Sequence, residues 1–327
     1  MNQALRTHGA RTVVVGGGTM GADVAVVLAR GGARVTVVDP SAAQRERLAP
    51  HVATELQAAG LGHRAALIDS VAALEDLDWQ GVVLVVECIT ERLDAKRALF
   101  ARLEALAPAD AVLASNSSSF PITAIGQGLA SQQRMLGLHF FMPAHLVPLV
   151  EVVCGTGSDA ARAAWLCDFM RACGSVPVLV KKDKPGFLAN RLQHALSREA
   201  FALIDEGIAS AEDVDAAVRF GFGFRYLAAG PVMQRDHAGI DVHCAAAATM
   251  YPTLSNTAAP ALALSERVAR GELGMKTGKG FFDWPEDRRL AERARYDALL
   301  RQGLALLAPE LPAIDRSDAP AAKAEAA

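Results

Sequence analysis

The chain has 327 residues, with 33 basic and 36 acidic side chains, a formal net charge of −3 at pH 7 and 51% hydrophobic residues. This length favours two domains, and the charge supplies no basic surface for nucleic acid. A charge, glycine or proline interrupts each apolar run well short of a bilayer span, so we expect no membrane segment.

The start of the chain and the cysteines indicate the compartment. Residues 1–10 contain no apolar core of signal-peptide length, which predicts a cytoplasmic protein. The five cysteines are scattered, odd in number and form no Cys-X-X-Cys pair. This spacing fits reduced, mostly buried thiols rather than disulfides or zinc ligands, and we expect no metal.

Short β-branched runs alternate with longer helical patterns over the first 180 residues, which predicts parallel strands joined by crossover helices. The predicted strands are Thr12–Val15, Arg34–Val38, Val82–Val86, Ala111–Ala114, Met135–His139 and Val176–Val180. The predicted helices are Gly21–Arg30, Ser41–Ala59, Glu91–Leu106 and Asp159–Ala172. The expected fold class is therefore α/β, with a doubly wound, mainly parallel sheet of the Rossmann type.

A charged segment at 181–186, which ends in a Pro-Gly pair, marks a change in composition. The β-branched runs stop there, and alanine-rich helical patterns continue to about Ala269, followed by an amphipathic stretch over Asp287–Leu307. We therefore expect a first domain at 1–184 and a smaller, all-α domain at 185–327.

The segment from Gly16 to Gly21 reads Gly-Gly-Gly-Thr-Met-Gly and matches the pattern G-x-G-x-x-G. It follows an apolar strand and opens a helix, so free backbone N–H groups and the helix dipole face any bound anion. Gly16 permits the tight turn, Gly18 lets a pyrophosphate approach the backbone, and Gly21 allows helix and strand to pack closely. With Thr19 and Met20 between them, these glycines predict a dinucleotide site.

Asp39 ends the second predicted strand, 18 residues after Gly21. A carboxylate at this place accepts hydrogen bonds from the ribose hydroxyls of adenosine and repels a 2′-phosphate, so the pattern predicts NAD rather than NADP. The alternative is a glycine turn and an exposed acid that bind nothing. That alternative does not explain why strand, loop, helix, strand and acid follow in register.

His139 lies among large apolar residues at the end of a predicted strand, where open α/β sheets build their sites. Glu151 sits inside another apolar run, and a buried carboxylate requires a partner. If Glu151 accepts from one ring nitrogen of His139, the other nitrogen becomes a general base for alcohol oxidation. A core histidine capped by a backbone carbonyl is the other interpretation, and these residues alone do not separate the two.

Further polar groups follow the same strands or open the helical half. Ser118 lies in a run of serines after a strand, and Asn190 begins a helix after the domain joint. Taken alone, both fit capping or turn chemistry. Glu91 and Lys96 flank the start of a helix five positions apart, where a solvated charge pair is the ordinary interpretation.

In this order, the features resemble those of the L-3-hydroxyacyl-CoA dehydrogenase family over nearly the whole span from Thr12 to Trp284. The motifs that carry the resemblance are Gly16–Gly21, Glu87 to Lys96, Ser115–Ser119, His139-Phe140-Phe141, Pro148–Val153, Lys182–Arg191, Gly230-Pro231 and Gly274–Phe282. The resemblance implies an NAD-dependent enzyme that oxidises a 3-hydroxyl to a 3-keto group. It also implies a homodimer formed through the helical half.

The resemblance implies roles for individual residues as well. It makes His139 the catalytic base and Glu151 the acid that orients it. It places Ser118 and Asn190 against the reacting oxygen and the carbonyl of the substrate. The residues that it assigns to the cofactor, beside Asp39, are Glu91, Lys96 and Lys276.

Two features depart from the family pattern. Met142 stands where the family usually has asparagine after His-Phe-Phe, so an apolar group replaces a polar contact in the expected active site. The span between Asp39 and Val82 is short and contains no lysine, whereas the acyl-CoA enzymes of the family carry a longer, lysine-rich arm there that helps to hold the CoA nucleotide. Weak or absent CoA binding follows as a hypothesis.

Three segments also resemble relatives that oxidise small free hydroxy acids, such as carnitine and gulonate 3-dehydrogenases: Asn190-Arg191-Leu192-Gln193, Gly221-Phe222-Gly223-Phe224-Arg225 and Gly230-Pro231. The Arg225 guanidinium is a candidate clamp for a substrate carboxylate. Two substrate classes therefore stay open, an L-3-hydroxyacyl-CoA and a free 3-hydroxy carboxylate. A protein that senses NAD(H) without turnover is the alternative from another class, and the presence of both His139 and Glu151 argues against it.

Overall fold

The computed structural model describes residues 7–319, so the first six of the ten residues used to judge a signal sequence lie outside it. The chain divides into two compact units. One comprises the residues up to Leu188 together with those from Leu300 onward, and the other comprises Ala189–Leu299. The segment from Leu300 onward, which was predicted to belong to the second domain, is thus part of the first unit. The domain boundary after Lys184 stays a prediction.

One eight-stranded sheet organises the first unit. Its strands are β1 Arg11–Val15, β2 Arg34–Val38, β3 Ile68–Val71, β4 Val82–Glu87, β5 Val112–Ser115, β6 Met135–Phe140, β7 Leu149–Cys154 and β8 Val176–Val180. The spatial order is β3-β2-β1-β4-β5-β6-β7-β8, and only β6 and β7 pair antiparallel. The first six strands have the Rossmann order, which confirms the predicted fold class. The strands β3 and β7 were not predicted.

Helices cover both faces of this sheet. They are α1 Thr19–Arg30, α2 Ala42–Ala58, α3 Leu93–Leu106, α4 Ile122–Ile125 and α5 Ala160–Ala172. Alternate residues of β1 enter two separate hydrophobic clusters: Val14 packs in the one that contains α1, and Val13 packs in the one that contains α3. This alternation is the period of two expected of a strand buried on both faces.

The second unit is helical, as predicted. Its helices are α6 Ala189–Asp205, α7 Ala211–Ala216, α8 Gly223–Arg225, α9 Met233–Ala238, α10 Ile240–Met250 and α11 Leu262–Ala269, with a π-helical turn at Ala217–Phe222. The last helix, α12 Glu286–Leu307, begins in this unit and ends in the first. None of the described helices is long and apolar enough to cross a membrane.

The C-terminal segment is attached to the first unit through Arg64. This arginine is 1% exposed, and its guanidinium donates to the Asp318 carboxylate and to the backbone carbonyls of Arg30 and Asp315. Ile314 packs against the hydrophobic cluster that contains α1. A buried guanidinium requires such acceptors, so this pairing fixes the end of the described chain.

Candidate active site

The glycine-rich loop joins β1 to α1. Gly16 has φ +104°, and a Cβ there would lie 2.6 Å from the carbonyl oxygen of Cys88. A Cβ on Gly21 would lie 1.7 Å from the carbonyl oxygen of Gly16. Both positions therefore require glycine.

Gly18 is the N-cap residue of α1, and the helix begins at Thr19 and Met20. No side chain caps the helix there, and a Cβ on Gly18 would enter open space. The first backbone N–H groups of α1 thus remain available to an anion that approaches over Gly18. This is the fit that the pyrophosphate of a dinucleotide requires.

Asp39 follows β2, which pairs in parallel with β1. One carboxylate oxygen accepts from the backbone N–H of Gly17 at 2.7 Å and the other from that of Ser41 at 2.8 Å. These bonds fix the carboxylate beside the glycine loop, and each oxygen keeps a further lone pair for a ribose hydroxyl.

His139 and Glu151 stand directly opposite each other on the antiparallel strands β6 and β7. His139 Nδ1 lies 2.8 Å from Glu151 Oε2, and the two residues are 3% and 0% exposed. The second carboxylate oxygen, Oε1, accepts from the backbone N–H of Leu188 at 3.0 Å. The pairing leaves Nε2 of the imidazole as the nitrogen that can exchange a proton with a substrate.

Ser118 lies on the loop after β5, next to β6 in the sheet. Its hydroxyl is 3.1 Å from His139 Nε2, and the residue is exposed. The loop is held by Asn116, whose side-chain carbonyl accepts from the backbone N–H of Phe140 at 2.9 Å. Serine hydroxyl, imidazole and carboxylate thus form one hydrogen-bonded line from the surface to the buried Glu151.

Lys96 is buried, which makes the solvated-pair interpretation of Glu91 and Lys96 wrong. Its ammonium is 1% exposed and lies 2.6 Å from Glu87 Oε1 and 3.2 Å from Glu91 Oε2. Glu91 precedes α3 instead of lying on it, so the spacing rule for helical pairs does not apply. Sequence reasoning missed Glu87, although it is a carboxylate at the end of an apolar strand, the same signal that marked Glu151.

Glu91 also holds the serine loop. One of its oxygens accepts from the Ser117 hydroxyl at 2.6 Å and from the backbone N–H groups of Ser118 and Ser119 at 3.2 and 3.0 Å. Burial alone would raise the pKa of Glu91, but the Ser117 hydroxyl and the Lys96 ammonium lower it. The group is therefore an ionised carboxylate at neutral pH, at the same edge of the sheet as His139.

The other predicted site residues lie elsewhere. Met142 follows β6 on the loop before β7 and is 66% exposed. Asn190, Arg225 and Lys276 belong to the second unit, where Asn190 lies on α6, Arg225 ends α8, and Lys276 is exposed in the loop before α12.

Two family models match the chain. The NAD-binding domain of 3-hydroxyacyl-CoA dehydrogenase matches residues 11–184, and the C-terminal domain of the same family matches residues 186–284. The two matches together cover residues of both units up to residue 284.

Individual relatives differ in how well their structures superpose. The chain is 35% identical to 5-formyl-3-hydroxy-2-methylpyridine 4-carboxylate 5-dehydrogenase of Mesorhizobium japonicum, over 86% of this chain and 94% of the relative. The crystal structure of a dehydrogenase of that name, described as an NAD+-dependent dismutase, matches with a TM-score of 0.86 and 31% identity over 91% and 98% of the two chains. For (S)-3-hydroxybutyryl-CoA dehydrogenase from Ralstonia eutropha, the TM-score is 0.69 at 29% identity, over 85% and 99% of the chains.

Proposed function

Because the chain belongs to the 3-hydroxyacyl-CoA dehydrogenase family and is an NAD-dependent dehydrogenase, we propose that it oxidises a hydroxyl group of a small free carboxylate. In this proposal His139 is the general base. The observation that carries the proposal is the line from exposed Ser118 through His139 to buried Glu151. It provides a base whose Nδ1 is paired with Glu151 and whose Nε2 faces the exposed serine hydroxyl.

The proposed chemistry follows from that line. His139 Nε2 takes the proton of the substrate hydroxyl, and Ser118 orients the same oxygen by a hydrogen bond. Glu151 stabilises the imidazolium that results, because its buried carboxylate lies 2.8 Å from Nδ1. NAD held at the glycine loop and Asp39 would supply the acceptor for the hydride that leaves the carbon bearing the hydroxyl. In the reverse direction, protonated His139 returns the proton.

We assign the cofactor to the glycine loop, Asp39 and Glu91. Lys96 is buried beneath Glu91, so we assign it the role of holding the Glu91 carboxylate rather than of touching the cofactor. From the family resemblance, we assign Asn190 to the substrate carbonyl and Lys276 to the cofactor.

Two observations favour a free carboxylate over a CoA thioester. The span between Asp39 and Val82 contains no lysine, and the TM-score is higher for the pyridine carboxylate enzyme than for the hydroxybutyryl-CoA enzyme. Identity does not separate these two relatives, at 31% and 29%. We assign Arg225 to the substrate carboxylate, which a guanidinium binds in two-point fashion.

A hydrated aldehyde is a second candidate group, because the relative from M. japonicum is named for a formyl-bearing pyridine carboxylate. The hydrate carries the same H–C–O–H unit as an alcohol, so His139 would remove its hydroxyl proton in the same way. Transfer of the hydride from that carbon to NAD then yields a carboxylic acid instead of a ketone, and the acid ionises to a carboxylate in water.

Initial rates with purified protein separate the substrate classes. Free 3-hydroxy acids and aromatic aldehyde carboxylates should be oxidised with NAD, and acetoacetyl-CoA should be a poor substrate for reduction with NADH. A strong preference for the thioester would contradict the proposal, since it needs a nucleotide contact that the short span lacks.

An NAD(H) sensor without turnover gains no support from relatives that are named as dehydrogenases.

We also propose a homodimer, because many large apolar side chains of the second unit are exposed in the single chain. Those above 60% exposure include Phe220, Phe224, Val232, Ile240, Tyr251 and Leu262. Sedimentation at low protein concentration that shows only monomer would contradict the dimer.

A further inference from the structure

A second group of histidines and carboxylates lies in the first unit, between α1, α2 and the loop after β6. Asp23 is 2% exposed on α1, in a helix whose other buried residues are apolar or glycine. Its Oδ1 lies 2.8 Å from His51 Nε2 on α2 and 2.9 Å from His145 Nδ1 on the loop. One ligand atom from each of the three residues lies within 4.8 Å of the others.

His145 contributes a ring nitrogen that is buried but makes no hydrogen bond within residues 7–319. Its side chain is 10% exposed, and its buried Nδ1 has no hydrogen-bond partner among the described residues although Asp23 Oδ1 is 2.9 Å away. The nitrogen faces the carboxylate outside hydrogen-bonding geometry. A buried ring nitrogen left in this way is costly unless something else accepts its lone pair.

Neighbouring groups contact the far sides of His145 and Asp23, as the residues around the ligands of a metal site do. The other nitrogen of His145, Nε2, lies 3.2 Å from Glu55 Oε2, and Glu55 is paired with Arg301 at 2.6 Å. The second oxygen of Asp23 accepts from the backbone N–H of Ala144 at 3.0 Å. A carboxylate on the far nitrogen of a ligating histidine fixes its tautomer and leaves the near nitrogen as a lone pair.

We propose that Asp23, His51 and His145 bind a divalent transition-metal ion of the zinc class. Two imidazoles and one carboxylate are the ligands such ions prefer, and three protein ligands leave a position for water. Ligand atoms on a tetrahedral zinc ion lie about 3.3 Å apart for bonds of about 2.0–2.1 Å, so the contacts of 2.8 and 2.9 Å need only a small expansion.

The position of the site indicates what the ion does. Asp23 lies two residues after the last glycine of the cofactor loop, and His145 lies on the segment between the strands of His139 and Glu151. An ion held by both would fix the Met142 segment against α1. This proposal departs from the sequence expectation of no metal, which weighed cysteine spacing and not buried histidines.

The test uses the full chain without an affinity tag, treated with a chelator and then titrated with Co²⁺. We expect visible d–d absorption that saturates at one ion per chain and is displaced by Zn²⁺. Asp23→Asn and His51→Gln should each weaken binding at least tenfold, and Glu55→Gln about tenfold through His145. His51 is partly exposed, so His51→Gln keeps the test valid if Asp23→Asn fails to fold.

His237→Gln is the matched control, because His237 is an exposed histidine on α9 outside the group. It should leave the cobalt spectrum and its saturation unchanged. The proposal is overturned if wild-type protein gives no such spectrum, if His51→Gln binds as tightly as wild type, or if His237→Gln removes the signal.

Discussion

Two histidine–carboxylate groups in the first unit show how the same residue types lead to different chemistry. His139 and Glu151 face each other across two strands, and Nε2 of His139 lies 3.1 Å from the hydroxyl of an exposed serine. The Asp23 group is formed by two helices and a loop, and its carboxylate contacts two histidines and a backbone N–H. Burial beside a carboxylate therefore does not identify a base. What identifies it is a second nitrogen that reaches the edge of the sheet.

The electrostatics of the Asp23 group support this distinction. Burial alone would raise the pKa of Asp23, but its contacts with His145 and His51 lower it to about 2. The same contact raises the pKa of His51. These shifts favour an ionised Asp23 beside a protonated His51, which is a structural pairing rather than a base for a substrate, and a metal ion would have to displace that proton.

His139→Gln should have the largest effect on activity. Glutamine can still donate to Glu151 but cannot accept the substrate proton, so kcat should fall about a thousandfold while NADH affinity and the melting temperature stay close to wild type. Steady-state rates and NADH fluorescence titration measure the two quantities on one preparation. Turnover near the wild-type level would remove His139 from the mechanism.

Glu151→Gln should reduce kcat about a hundredfold, less than the loss of the base itself. The amide still accepts from Leu188 but no longer stabilises the imidazolium. The matched control is Ser175→Ala, a buried serine to which no catalytic role is assigned. Equal losses in both variants would show that the effect comes from packing instead of charge.

Asp23→Ala should act on stability in metal-free buffer. It leaves the Ala144 N–H and two histidines without their carboxylate, which costs about 2 kcal/mol and lowers the melting temperature by about 5 °C. Asp23→Asn keeps an acceptor for Ala144 and should lose less. Calorimetry that finds Asp23→Ala as stable as wild type would show that the group holds nothing in place.

Replacing Asp318 should have the smallest effect on the melting temperature, and that effect should depend on pH. A hydrogen bond with Arg64 lowers the pKa of Asp318 from 3.8 to about 2. The ionised form is thus favoured in the folded chain, and the stabilisation is present above about pH 4 and is lost as the pH falls towards 2. Asp318→Asn should lower the melting temperature by about 2–4 °C at pH 7 and by less at pH 3. An equal difference at both pH values would contradict the assignment.

The glycine loop and the sheet could be predicted because local patterns determine them. Glycine spacing follows from close backbone contacts at Gly16 and Gly21, and alternating apolar runs identify buried strands. The strand β7 was not predicted because the charged Glu151 interrupts its β-branched run. Its antiparallel register with β6 is a long-range pairing that no local pattern reveals.

The site was predictable only in part for the same reason. Whether Glu151 pairs with His139 depends on the register of β6 and β7, so the residues alone left two interpretations open. Glu87 and Asp23 carry the same sequence signal as Glu151, a carboxylate within an apolar strand or helix. The partners His51 and His145 lie 28 and 122 positions from Asp23 in the sequence, and only the fold brings them together.

A double-mutant cycle on His139 and Glu151 tests the central claim most directly. If Glu151 acts only through His139, then kcat of the double variant His139→Gln/Glu151→Gln should equal that of His139→Gln alone. Losses that multiply, about a hundredfold beyond His139→Gln, would show that the two residues act independently and would contradict the proposed base and its orienting acid.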